Sequence, residues 1–79
     1  MTKDEERRDI ELLVESAVTC MRGSPGRYNG PIPIEAVRLA SQMGLRVRGL
    51  PVPDDVWLDA LIRELAEFYD VPVWPPAGA

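Results

Sequence analysis

The chain has 79 residues, of which 46% are hydrophobic and 28% charged, and its formal net charge is −4. So short a chain predicts a single domain over residues 1–79, because two cores would each have too little apolar surface to bury. Charges interrupt the sequence too often for a membrane span, and the charged start MTKDEERRD predicts no secretory signal, so we expect a cytoplasmic protein with no membrane association.

The first predicted helix covers about residues 4–22. Thr2 or Asp4 is expected to cap its start. Cys20, the single cysteine, has no histidine or lysine near it in sequence, so we expect a small core residue rather than a nucleophile. The apolar arc at helical spacing consists of Ile10, Leu13, Val14, Ala17, Val18 and Met21.

Residues 23–33 are rich in turn-forming residues and predict a loop. A second helix is expected over about residues 33–43, with Pro33 at its first position and Gly44 as the left-handed residue after its end. The alternation of apolar residues with arginine over residues 45–48 predicts a short extended stretch. The expected buried face of the second helix is Ala36, Val37, Leu39, Ala40 and Met43.

The third predicted helix runs over about residues 54–69, with Asp54 or Asp55 as its cap. Val71 precedes a proline and should leave the helical conformation, so residues 71–79 are expected to form an extended tail. In the core we expect Trp57, Leu61, Leu65 and Phe68 to pack against Leu13, Val14, Ala17 and Leu39. These elements predict a mainly α fold, a compact three-helix domain with short extended segments.

Trp74 lies in the predicted tail between prolines, and two alternatives account for it. It either folds back onto the core or serves as an anchor for a partner. We favour the first, because a small core gains much from one large aromatic side chain. The second has its own physical basis, since tryptophan is frequent among the residues that dominate binding energy at interfaces.

The sequence offers little catalytic chemistry. It contains no histidine, which removes the usual general base and the commonest metal ligand, and GSPGRYNG lacks the features of a phosphate-binding loop. The acid pairs Asp54-Asp55 and Glu5-Glu6 are accounted for as helix caps and first-turn charge. We therefore expect no catalytic, cofactor-binding or metal-binding residues and no enzymatic activity.

The charge distribution is more informative. Residues 20–50 carry five arginines against Glu35 alone, while both ends of the chain are acidic. Arginine can bind phosphate or carboxylate groups in bidentate fashion, although exposed arginines often only solvate a surface, and both alternatives stay open. The candidate partner-binding residues are Arg27, Tyr28, Arg38, Arg46, Arg48 and Trp74.

A helix ending in Met43-Gly44-Leu45, followed by a longer amphipathic helix and then by VPVW, resembles a winged helix-turn-helix domain. Residues 31–34 resemble the strand that precedes the second helix in that family, and residues 71–73 the strand that begins its wing. The resemblance covers residues 10–74 as a pattern of elements. It implies a DNA-binding transcriptional regulator that contacts phosphates through Arg38, Arg46 and Arg48.

Two functions therefore follow from the sequence. The first is a small interaction module that binds and modulates a protein partner, as bacterial or phage accessory proteins do; a second copy of the chain is one such partner. The second is the winged-helix-like DNA binder. The net negative charge favours the first, because nonspecific DNA affinity comes from positive surface.

Overall fold

Three helices and two short strands make up the fold in a computed structural model that describes residues 2–22 and 31–76. In chain order they are α1 (Lys3–Arg22), β1 (Ile32–Pro33), α2 (Ile34–Val47), α3 (Asp55–Phe68) and β2 (Val73–Trp74). Each helix contacts the other two. The prediction of a mainly helical, three-helix domain with short extended segments is confirmed.

The two strands join the beginning of α2 to the segment that follows α3. They pair in parallel, with Ile32 opposite Val73 and Pro33 opposite Trp74. The amide of Ile32 also donates to the carbonyl oxygen of Pro72 at 2.9 Å. Residues 31–34 and the tail thus contain extended structure as predicted, and the tail returns to the domain.

The core is built from all three helices and from both extended segments. α1 buries the face that its periodicity predicts, and Thr2 caps it by accepting a hydrogen bond from the amide of Glu5 at 3.2 Å. Leu13, Ala17, Trp57, Leu61 and Leu65 pack against the buried cluster as predicted. The buried apolar residues are Ile10, Val14, Val18, Ile32, Ile34, Val37, Leu45, Leu58, Ile62, Ala66 and Val71.

Among the residues expected in the core, Phe68, Leu39 and Cys20 lie at the surface instead. Phe68 is 79% exposed and Leu39 is 51% exposed, and Cys20 is also exposed. Cys20 follows the buried Val18 by two positions, which turns it about 200° away at 100° per residue. The predicted core positions of these three residues are therefore wrong.

α2 continues four residues beyond its predicted end, so Gly44 is internal and residues 45–47 are helical rather than extended. A Cβ atom at Gly44 would lie 3.2 Å from both terminal methyl carbons of Leu13. The glycine therefore stands where α1 and α2 approach each other closely, and it does not end the helix. Leu45, which follows it, is completely buried.

The true end of α2 is a Schellman turn, and α3 ends in the same way. Gly49 adopts a φ of 71°, and the amide of Leu50 donates to the carbonyl of Leu45 at 2.9 Å. After α3, Asp70 adopts a φ of 56°, and the amide of Val71 donates to the carbonyl of Ala66 at 2.7 Å. The terminating signals therefore lie at positions 49 and 70.

The buried face of α2 is rotated relative to the prediction. It consists of Ile34, Val37, Ser41 and Leu45. Val37 is buried as predicted, whereas Leu39, Ala40 and Met43 are exposed and Ala36 is only partly buried. Ser41 hides this periodicity because it is polar, yet its hydroxyl is satisfied inside the core by donating to the carbonyl of Val37 at 2.8 Å.

Candidate interaction surface

The side of α2 opposite the core carries a row of exposed apolar residues. Leu39 is 51% exposed, Met43 65% and Val47 87%. Their spacing of four residues places them on neighbouring turns, and Ala36 and Ala40 lie beside them. We call the five residues Ala36, Leu39, Ala40, Met43 and Val47 the outer row. α2 is therefore apolar on two opposite sides, only one of which faces the core.

Polar contacts fix α2 against the beginning of α3. Nη1 of Arg38 donates to both carboxylate oxygens of Asp59, at 3.0 and 2.9 Å. The side-chain amide of Gln42 donates to Asp55 at 2.9 Å. The hydrogen bond to Asp59 raises the pKa of Arg38, which therefore stays charged. The outer row is thus presented on a helix held from two successive turns.

The arginines predicted to bind a partner differ in their surroundings where the structure describes them. Arg38 is half-buried and engaged with Asp59, so its guanidinium does not project freely toward a partner. Arg46 and Arg48 are exposed at the end of α2 and form no ion pair with other described residues. Arg27 and Tyr28 lie outside the described residues. Of the four candidates that the structure describes, Arg46 lies beside the outer row.

The tail folds back onto the domain as favoured, but Trp74 is 63% exposed, so the prediction that its side chain joins the core is wrong. Its backbone belongs to β2 and pairs with Pro33, immediately before α2. Val71 and Val73 supply the apolar contacts of the tail to the core instead. The alternative that Trp74 binds a partner stays a prediction.

A groove of about 250 Å³ lies between α1 and α3. Its apolar lining comes from residues of α3 such as Trp57, and its charged lining from Glu64 of α3 and from residues of α1 that include Glu15. The phenol of Tyr69 donates a hydrogen bond to Glu15, and this bond raises the pKa of Tyr69. The groove is lined by Arg7, Glu11, Glu15, Trp57, Ala60, Leu61, Glu64 and Leu65.

A second, more apolar groove of about 310 Å³ lies between α3 and the tail. Nη1 of Arg63 is buried beside it and has no hydrogen-bond partner among the described residues. The rest of the lining is Ala66, Glu67, Val71, Pro72, Val73 and Pro76. This groove offers apolar contact, the guanidinium of Arg63 and the carboxylate of Glu67.

Within residues 2–22 and 31–76, no three histidine, cysteine or acidic side chains are grouped so as to hold a metal ion. Over the same ranges, no helix is long and apolar enough to cross a membrane. No protein-family model, curated protein or solved structure matches the chain.

Sequence reasoning identified most residues of the outer row but assigned them to the wrong side of α2. Ala36, Leu39, Ala40 and Met43 do share one helical face, as predicted. The signal that would have corrected the assignment is a second apolar series, formed by Ile34, Val37 and Leu45. A helix with two apolar faces can bury one of them in the core and leave the other exposed.

Proposed function

We propose that the protein is a non-catalytic interaction module that binds and modulates a protein partner in the cytoplasm, as a bacterial or phage accessory protein does. The observation that carries this proposal is the outer row of α2. Its three large residues are each at least half exposed, although the inner face of the same helix fills the core. Contiguous exposed apolar surface is typical of binding sites.

The surroundings of the outer row favour a protein partner over a nucleic acid. Glu35 and Arg46, both exposed, border it with opposite charges, whereas a phosphate-binding surface needs a consistent excess of positive charge. An apolar centre with a mixed charged rim is typical of protein interfaces. An amphipathic helix laid along the row would bury the apolar side chains and leave the charged rim hydrated.

Two leucines with the same exposure allow a matched test. Leu39 in the outer row and Leu12 on α1 are both 51% exposed. We expect affinity capture from the producing cells to recover the same partner with the unmodified chain and with Leu12→Glu, and to lose it with Leu39→Glu. Circular dichroism of both variants checks that the fold is retained. Equal recovery with Leu39→Glu would contradict the proposal.

The winged-helix-like DNA binder is the second candidate. It is supported by the exposure of Arg46 and Arg48 and by short strands where the resemblance expects them, although two strands of two residues are too little to establish that family. On the main proposal, duplex DNA should show no mobility shift at about micromolar protein in moderate salt. Tight, salt-sensitive binding that weakens in an Arg46→Ala, Arg48→Ala double variant would favour this candidate instead.

A further inference from the structure

We infer that the partner seated on the outer row is α2 of a second copy, packed antiparallel about a two-fold axis near Ser41. This inference rests on the proposed function, because it names the occupant of the same surface. A two-fold interface must be self-complementary, so each residue has to suit the residue that the symmetry places opposite it. The residues of α2 satisfy that condition in shape and in charge.

The apolar residues fit one antiparallel register. With the axis near Ser41, Leu39 lies opposite Met43 of the second copy, and Ala36 lies opposite Val47 of the second copy. Each pair is centred within one residue of the same point in the sequence. The small Ala36 leaves room for Val47, the most exposed of the three large residues, so one arrangement buries both ends and the middle of the row together.

The charged rim fits the same register. Glu35 and Arg46 are eleven residues apart, which is about three helical turns, so they lie on the same edge of the outer row. Antiparallel packing about a two-fold axis places like edges together with opposite polarity. Each Glu35 then meets Arg46 of the second copy, and the two ion pairs are equivalent.

The charges also decide the direction of packing. A parallel two-fold arrangement would place the two copies of this edge on opposite flanks of the interface, so Glu35 and Arg46 would form neither of these ion pairs. The charges that favour a second copy therefore favour one orientation of it. A contact limited to one face of a 14-residue helix lies at the small end of specific interfaces, so the dimer should be weak and concentration-dependent.

Sedimentation equilibrium of the full chain tests the inference. We expect the average mass to rise from 8.8 kDa toward twice that value between about 10 μM and about 1 mM protein. Met43→Glu should stay at the monomer mass throughout this range, and Leu12→Glu should dimerise like the unmodified chain. Circular dichroism of each variant monitors folding.

Charge reversal tests the register with surface residues alone. Glu35→Arg and Arg46→Glu should each weaken dimerisation by roughly tenfold, because both equivalent pairs become repulsive. An equimolar mixture of the two variants should recover the original affinity, because a heterodimer restores opposite charges at both ends. Recovery in the mixture would support the antiparallel register in particular.

Two results would overturn the inference. A chain that stays monomeric to about 1 mM, or a dimer indifferent to both Met43→Glu and the charge reversals, is incompatible with it. Neither result tests the proposed function. That proposal is contradicted when a different protein is captured and Leu39→Glu does not reduce its recovery. A monomeric chain that captures another protein through Leu39 would overturn the second copy and keep the interaction module.

Discussion

α2 and α3 each contain 14 residues and end in the same type of turn, yet their outward sides differ. On α2 the outward positions hold the outer row, whereas on α3 the middle of the exposed side holds Ala60, Glu64 and Glu67. Val56 and Phe68 are also exposed on α3, but they lie at opposite ends of the helix. Both helices supply buried residues to the core, so core formation does not explain the apolar outer side of α2.

The largest expected effect separates inner from outer positions. Leu58 of α3 is completely buried, and Leu58→Ala should lower the free energy of unfolding by about 2–5 kcal/mol. Met43→Ala should cost about 0.5 kcal/mol or less, because its side chain is mostly hydrated in the monomer. Urea unfolding at low protein concentration measures both. A comparable loss in the two variants would mean that the outer row is part of the fold.

The beginnings of the two helices predict the next effect. The carboxylate of Asp54 accepts a hydrogen bond from the amide of Trp57 at 2.8 Å, whereas Pro33 gives α2 no side-chain cap. Asp54→Ala should therefore destabilise the protein by about 1 kcal/mol. Asp54→Asn, which keeps an acceptor oxygen, is the control and should lose much less. Equal melting temperatures for Asp54→Ala and the unmodified chain would contradict the capping role.

The turns after the two helices should respond in opposite directions. Gly49 ends α2 with a φ that only glycine adopts without strain, so Gly49→Ala should cost about 1 kcal/mol. Asp70 adopts a similar φ after α3, so Asp70→Gly should relieve strain in the folded state. Glycine also raises the conformational entropy of the unfolded chain, which leaves a net gain in stability of a few tenths of a kcal/mol. Thermal melts of both variants measure the two changes in stability. Changes of the same sign would contradict this prediction.

The smallest effect is a dependence on alkaline pH that involves α1 and α3. The hydrogen bond to Glu15 raises the pKa of Tyr69 above its ordinary value near 10. The contribution of this hydrogen bond to stability is therefore fully present below about pH 10, and it is lost as the pH rises through the higher pKa of Tyr69 in the folded state. Tyr69→Phe should lack this component of the alkaline loss. Parallel melting curves over pH for both proteins would contradict the role of the bond.

Local signals predicted much of the fold. Thr2 and Asp54 are caps because a side-chain oxygen before a helix satisfies a free amide, and that rule needs no tertiary information. The periodicity of α1 placed its buried face correctly for the same reason. Val71 left the helical conformation as the proline after it requires.

The errors in α2 came from contacts that local rules cannot contain. Gly44 resembles a helix terminator, but the nearby side chain of Leu13 explains why the position favours a residue without a Cβ atom. Ser41 resembles a surface residue, but a bond to the backbone of its own helix allows its burial. Because Gly44 was taken as the helix end, Leu45 was left outside the helix, and the predicted buried face combined Val37 with four residues of the outer row.

Site-specific photo-crosslinking in the producing cell tests the central claim most directly, because it reports what touches the outer row. A photoreactive residue at position 43 is compared with the same residue at position 64, on the exposed side of α3. We predict a discrete adduct from position 43, at twice the mass of the chain if the occupant is a second copy, and little or none from position 64. Equal labelling from both positions, or no adduct from position 43, would contradict the claim that the outer row of α2 is a binding surface.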